Sequence, residues 1–302
     1  MIKYLKHSDI DKAKWDLCVG QSVNGLIYAY SWYLDIVSPN WEALVLDDYE
    51  AIFPLTHRKK FIFYLYQPFF TQQLGLFYKN KFHQGMLDEF VSLIPKHFKF
   101  VDIQLNEANH LDELKWKVKK RKNFVLDLNK PFAVLSKNYN EGAKRNLKKS
   151  LKNSLELKSI EGDEAINFYI KHKGDVTFGV SDADYTRLKL LIKEAEKHHV
   201  VLCKGVFSAE NELLATAVFF ISPRRILFLN NSSSPKGKSM HAMHFLVNNI
   251  IQYFENQLML LDFEGSDMQG IAQFNKGFGA IKQTYQRLKI NRLPWYLKLL
   301  KN

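Results

Sequence analysis

The chain has 302 residues, 46% of them hydrophobic and 14% aromatic, so it can build a large core and is no disordered or low-complexity polymer. Lysine and arginine number 43 against 31 acidic residues, a formal net charge of +12, and the excess sits mainly in residues 131–302. That balance favours anionic partners such as phosphorylated cofactors, nucleic acid or an anionic membrane surface. Two distant cysteines, Cys18 and Cys203, with no CxxC or Cys/His ligand spacing, speak against a zinc site or a disulfide framework. The N-terminus has no signal-peptide core, and no apolar run reaches the roughly 18 residues that span a bilayer. The expectation is a cytoplasmic protein of a reducing compartment with no metal.

In chain order, Trp41 to Phe61 reads as two strands around a tight turn at Asp47-Asp48. An aromatic segment, Phe61 to Phe70, leads into QPFFTQQLGLF, a helix near Phe82 to His97 and the strand FKFVDIQL. The run KWKVKKRK precedes a strand over Asn123 to Leu128. Next, AKRNLKKSLKNSLELK reads as a basic amphipathic helix with Leu147, Leu151 and Leu155 in one stripe. Residues Val200 to Ser233 read as three strands with turns at Ala209–Glu212 and Ser222–Arg225. A helix beginning near Ser239, the strand MLLDF, a closing strand over Thr284 to Ile290 and a short amphipathic helix in LPWYLKLLKN complete the order.

Helices, an antiparallel meander, a helix and further strands thus occur twice. The order predicts an α/β fold of the mixed α+β kind, with one mostly antiparallel central sheet flanked by helices in each of two tandem domains, 1–130 and 131–302. A cleft between them is the default ligand site.

The strongest local signal is NNSSSPKGKSMHAMHF, where a strand ends in small polar residues, a Lys-Gly-Lys-Ser turn follows and an apolar helix starts. Unpaired N–H groups at a helix start, a glycine and two lysines suit a pyrophosphate. Asn231, Lys236, Gly237, Lys238, Ser239 and Met240 are the candidate cofactor-binding residues. In DFEGSD, alternation along a strand places Asp262 and Glu264 on one face, where either carboxylate is a candidate base for an amine nucleophile; Asp267 is a candidate helix cap. In the first half, Tyr30, Trp32, Gln67, Gln72 and Gln73 mix aromatic and amide groups as a pocket for an uncharged polar substrate does. The pairs His198-His199 and His241/His244 lack a third metal ligand nearby, and no GxSxG elbow accompanies them.

Three strands, a basic glycine turn and a helix resemble the acyl-CoA site of the GNAT N-acyltransferase superfamily, with Ser234, Gly237 and Ser239 at the positions of its glycine motif. LDFEGSDMQGIAQFNKGFGA, with the basic helix before the second half, resembles the FemAB-like branch of that superfamily. There Asn275 stands at the position of a substrate-proximal lysine and Lys276 is its neighbour, which adds Lys276 to the candidate catalytic residues. The resemblance implies two GNAT-like domains and N-acyl transfer from an acyl-CoA, such as acetyl-CoA, with no tightly bound cofactor. The acceptor is then an amine on a small molecule or a cell-wall precursor. Backbone N–H groups near Leu229 to Asn231 are candidates for polarising the acyl carbonyl. Two alternatives stand beside this: transfer from aminoacyl-tRNA through the basic runs, and a non-catalytic protein docked peripherally on a membrane by the basic helix and the last ten residues.

Overall fold

The apolar alternation after Trp41 does fold into a hairpin. In the computed structural model, which describes residues 1–79, 83, 85–173, 179–265 and 268–294, β1 (Ile2–Leu5) pairs antiparallel with β2 (Glu42–Leu46), and β2 with β3 (Ala51–Leu55). Between β1 and β2 run α1 (Lys12–Gln21) and α2 (Ser31–Val37). The side chain of Asp11 caps α1 by accepting from the Lys14 N–H. Trp15 of α1 is fully buried; its indole N–H donates to the Ala29 carbonyl and its ring lies 4.5 Å from that of Trp41. After β3 come β4 (His57–Lys59), β5 (Phe63–Tyr66), β6 (Phe77–Tyr78), α3 (Met86–Ser92) and β7 (Phe98–Gln104). β6 joins the first sheet beside β3, while β5 pairs antiparallel with β4 and parallel with β7. Phe53, Leu65, Phe90, Phe98 and Ile103 meet in one core. Each large side chain so buried is worth about 2 kcal/mol.

The second run of elements begins with β8 (Val118–Asp127), which extends back into the basic KWKVKKRK run. It continues through α4 (Phe132–Lys137), α5 (Glu141–Ser150), β9 (Glu156–Ser159), α6 (Gly162–Lys173) and α7 (Asp182–Lys197). Three strands follow as expected, β10 (Val201–Phe207), β11 (Leu213–Ser222) and β12 (Arg225–Ser233). Then come α8 (Pro235–Ser239), α9 (Ala242–Tyr253), β13 (Leu260–Asp262), α10 (Gln269–Gly277) and β14 (Ile281–Asn291). Strands β8-β13-β12-β11-β10-β9 lie in that order, β12–β13 being the parallel pair. Phe219 and Phe228 stack at 4.8 Å over a core shared with Leu246, Phe263 and Phe278.

Two expectations change. The basic helix α5 ends at Ser150; Ser154 adopts φ 47°, Leu151 is 63% exposed, and only Leu147 and Leu155 reach the core, so the leucine stripe does not exist. The chain also divides into Met1–Arg121 with Thr284–Asn302, and Lys122–Gln283, where sequence order placed one boundary at 130/131. The closing strand is the reason. β14 pairs with β7, Arg287 opposite Gln104 through Asn291 opposite Phe100, and from Thr284 onward counts with the first unit. Asp267 as a cap and the expected helix in LPWYLKLLKN, past Pro294, lie outside the described residues. No helix among the described residues is long and apolar enough to cross a membrane.

Candidate functional site

β12 and β13 run parallel for three residues only, Arg225–Leu227 against Leu260–Asp262. Just past that ladder β12 carries a bulge. Phe228 lies opposite Phe219 and Asn230 opposite Val218, which leaves Leu229 as the extra residue and bends the strand. Where the ladder ends, a cavity of about 320 Å³ opens. Phe228, Asn231 and Ser233 of β12 form one wall, and Phe263, which follows β13, forms another. Gly237 and Lys238 of α8, His241, Met243 and His244 at the start of α9, and Gly270, Ile271, Phe274 and Asn275 of α10 close it. Lys173, the last residue of α6, completes the lining.

The lining is apolar with polar groups at a few points, the composition of a small-molecule site. Lys173 Nζ donates to the Asn231 carbonyl at 2.8 Å and to its Oδ1 at 3.2 Å. Burial, and secondarily the charge of Lys238, lowers the Lys173 pKa from its ordinary value. Lys238 itself is exposed and has no ion-pair partner among the described residues. His244 is held neutral, its pKa pushed down to about 4 by burial and then by His241. Asn146 Nδ2 lies 3.2 Å from His244 Nε2; an amide nitrogen can only donate, so that ring nitrogen accepts. Asn275 is 2% exposed, and its Nδ2 has no hydrogen-bond partner among the described residues although it lines the cavity. A buried donor without an acceptor is costly, and a ligand oxygen would relieve it.

Of the six residues expected to hold a cofactor, Asn231, Gly237 and Lys238 reach this cavity and the others do not. Lys236 pairs with Glu212 at 2.6 Å. Ser239 is exposed and donates to the Lys236 carbonyl, and Met240 ends α8 with its carbonyl accepting from Asn153. The helix expected near Ser239 is two helices: Ser234 caps α8, and α9 starts after His241, which takes φ 55°. Gly237 also has a different reason from the one its turn implied. Its N–H is already held by the Ser234 hydroxyl at 3.0 Å, and a Cβ there would stand 2.0 Å from the Leu214 carbonyl oxygen. Glycine is required for the helix to lie against β11.

The two candidate bases separate as well. Asp262 is the last residue of β13 and Glu264 takes φ 56°, so strand alternation no longer puts them on one face. Asp262 is 1% exposed, and one oxygen accepts from Arg225 at 2.8 Å and Asn123 at 3.2 Å while the other accepts from the Glu264 N–H at 2.8 Å. It is the anchor of a buried ion pair. Glu264 is half-buried, one residue beyond Phe263 of the cavity wall. Lys276 is exposed with its amine over the Phe124 ring at 5.8 Å; its neighbour Asn275 faces the cavity. Sequence reading missed Lys173 and set aside His241 and His244.

The five residues expected to hold a substrate all lie in the first unit. Gln67 lines a second cavity there, of about 390 Å³, with Tyr64, Tyr66, Asp102, Gln104 and Arg287. Its amide is already engaged, donating to the Thr71 carbonyl and accepting from the Gln104 N–H, both at 2.9 Å. Gln73 is 1% exposed; it donates to Gln72 at 2.6 Å, and its own oxygen has no partner among the described residues. Tyr30 and Trp32 are half-buried at the start of α2.

No family model matches the sequence, and no curated protein matches it. Solved structures do match. The crystal structure of FemX superposes with a TM-score of 0.69 at 13% identity, covering 99% of this chain and 100% of that one. The C-terminal domain of a putative lysylphosphatidylglycerol synthetase from Agrobacterium fabrum gives 0.56 at 10% identity, covering 96% and 95%. An acetyltransferase from the GNAT family of Colwellia psychrerythraea gives 0.50 at 10% identity, covering 95% and 99%. The chain therefore has an α/β fold of the GNAT type in its FemAB-like form. At these identities the likeness is one of fold, and the function has to be argued from the site.

Proposed function

We propose that this protein is an N-acyltransferase that takes its acyl group from an acyl-CoA, such as acetyl-CoA, and passes it to an amine. One observation carries the reading: the cavity beyond the β12–β13 ladder joins apolar walls to Lys173, Lys238 and an Asn275 amide nitrogen that has no hydrogen-bond partner among the described residues. The acyl group and the chain behind it lie against Phe228, Phe263, Ile271 and Phe274. Lys238, exposed at the rim, meets the donor's phosphates. Asn275 Nδ2 or a backbone N–H of the bulge at Leu229 receives the carbonyl oxygen, where negative charge develops during attack. The amine nitrogen bonds to the carbonyl carbon, the carbon–sulfur bond breaks and the sulfur leaves as a thiolate, which then takes up a proton from water. Glu264 takes the proton the amine must lose. The likeness in fold to an acetyltransferase supports the reading.

Titration of the whole protein with CoA and acetyl-CoA by calorimetry, at low and moderate salt, tests this. Saturable one-site binding that survives moderate salt, and that Lys238→Ala weakens about tenfold, is the expected result. Absence of binding at either salt overturns it.

A second reading keeps acyl transfer and changes the donor to aminoacyl-tRNA. It is favoured by the exposed face of α5, where Lys144, Arg145, Lys148 and Lys149 stand together and only Lys144 pairs with an acid among the described residues. Binding of charged tRNA that falls steeply with salt, in a protein indifferent to CoA, would establish it.

A further inference from the structure

The hairpin of β4 and β5 is a surface feature that the acyl-transfer reading does not use. Lys59 of β4 stands opposite Phe63 of β5, and the loop Lys60-Phe61-Ile62 joins them, with the Lys60 N–H bonded to the Ile62 carbonyl at 3.2 Å. Phe61 at this tip has a relative exposure of 103%, the largest of any large hydrophobic residue among the described residues. Phe63, behind it, is 36% exposed. Single exposed apolar residues are ordinary on protein surfaces. Here the phenylalanine is set among cations. The segment His57 to Tyr66, HRKKFIFYLY, holds three lysine or arginine residues and no acid. Lys59 Nζ lies 5.2 Å from the Phe63 ring centroid. Pairing of Phe63 with Phe98 brings Lys96 and Lys99, both exposed, to the same end of the sheet. Glu42, within 4.0 Å of both His57 and His97, is nearly buried and already holds Lys6 and Tyr4.

An aromatic ring on a turn, surrounded by lysines, matches one surface chemically: the boundary of an anionic bilayer, where the ring enters the headgroup layer and the ammonium groups meet phosphates. A protruding tip offers no groove to track a nucleic-acid strand, which single-strand binding uses. We propose that the β4–β5 hairpin docks this protein on anionic lipid, with Phe61 as the inserted residue and Lys59, Lys60, Lys96 and Lys99 as its electrostatic contacts. This surface differs from the basic helix and chain end that the sequence pointed to, and it does not depend on the donor or acceptor of the acyl transfer.

The test is co-sedimentation of the full chain with vesicles of phosphatidylglycerol mixed with phosphatidylcholine, with pure phosphatidylcholine vesicles and single-stranded poly(U) RNA as the other probes. Binding to the anionic vesicles alone is expected. Phe61→Ser should weaken it about tenfold, and Lys59→Gln with Lys60→Gln about 25-fold, roughly fivefold for each charge removed. Both variants should keep the thermal midpoint of the parent, because the tip buries nothing. In a Phe61→Trp protein, tryptophan emission should shift to the blue when anionic vesicles are added. Failure to bind anionic vesicles, binding that both variants retain, or binding of RNA in their place would each overturn the proposal.

Discussion

Asp262 and Glu264 are two residues apart and chemically alike, yet their surroundings differ. Asp262 faces Arg225 inside the second unit, each less than a tenth exposed. Removing one partner of such a pair leaves an uncompensated buried charge. Asp262→Asn should therefore lower the unfolding free energy by about 3 kcal/mol, read as a shift in urea midpoint. Glu264→Gln should leave that midpoint within about 0.5 kcal/mol and reduce acyl-transfer kcat about 100-fold. A stable Asp262→Asn protein that has lost transfer would reverse the two assignments. The sequence could name both carboxylates but could not rank them. Arg225, on a different strand, holds Asp262 in a buried ion pair, and nothing near DFEGSD announces it.

At the scale of elements, hairpins were the most legible part. Turn residues at Asp47-Asp48, Ala209–Glu212 and Ser222–Arg225 sit between apolar runs, and β2–β3 and β10–β11–β12 turn where those residues stand. Local chemistry sets such turns, so local sequence reveals them. Helix α5 was less legible. Its basic residues and leucines continue past Ser150 in sequence, but Asn153-Ser154 break the helix and β9 pairs with β10. The glycine of α8 was found for an incomplete reason, since the turn showed that glycine stands there while its contact with β11 is long-range. Gly237→Ala should cost about 3 kcal/mol, because the new methyl would meet backbone rather than a flexible side chain. A midpoint unchanged by that substitution would contradict the close packing. The same clash makes a bulky residue at 237 a poor probe of donor binding, which is why Lys238 is the better one.

For the molecule as a whole, the two thiols report on the two units. Cys18 lies in the first and Cys203 in the second, both buried, with burial raising their pKa values to about 11 and about 12. The thiolate is the reactive form. Iodoacetamide at pH 8 should leave both unmodified in the native protein and label both in guanidinium. Mass spectrometry at intermediate denaturant then shows which unit opens first. Ready labelling of either cysteine without denaturant would contradict its burial.

Composition, turn chemistry and apolar period were enough to determine the fold class, most strand positions and one wall of the candidate site, because strand, turn and helix there are consecutive in the chain. Asn231, Gly237 and Lys238 accordingly line one cavity. Lys173 comes from the end of an ordinary amphipathic helix, and His244 and Asn275 from two others; they share a cavity only because β13 stops after three residues and α6, α9 and α10 supply the rest of the lining beyond it. The membership of β14, from Thr284 onward, in the first unit is of the same kind. Pairing between residues nearly 200 positions apart is set by which core each strand can complete, a global condition that no local window of sequence contains.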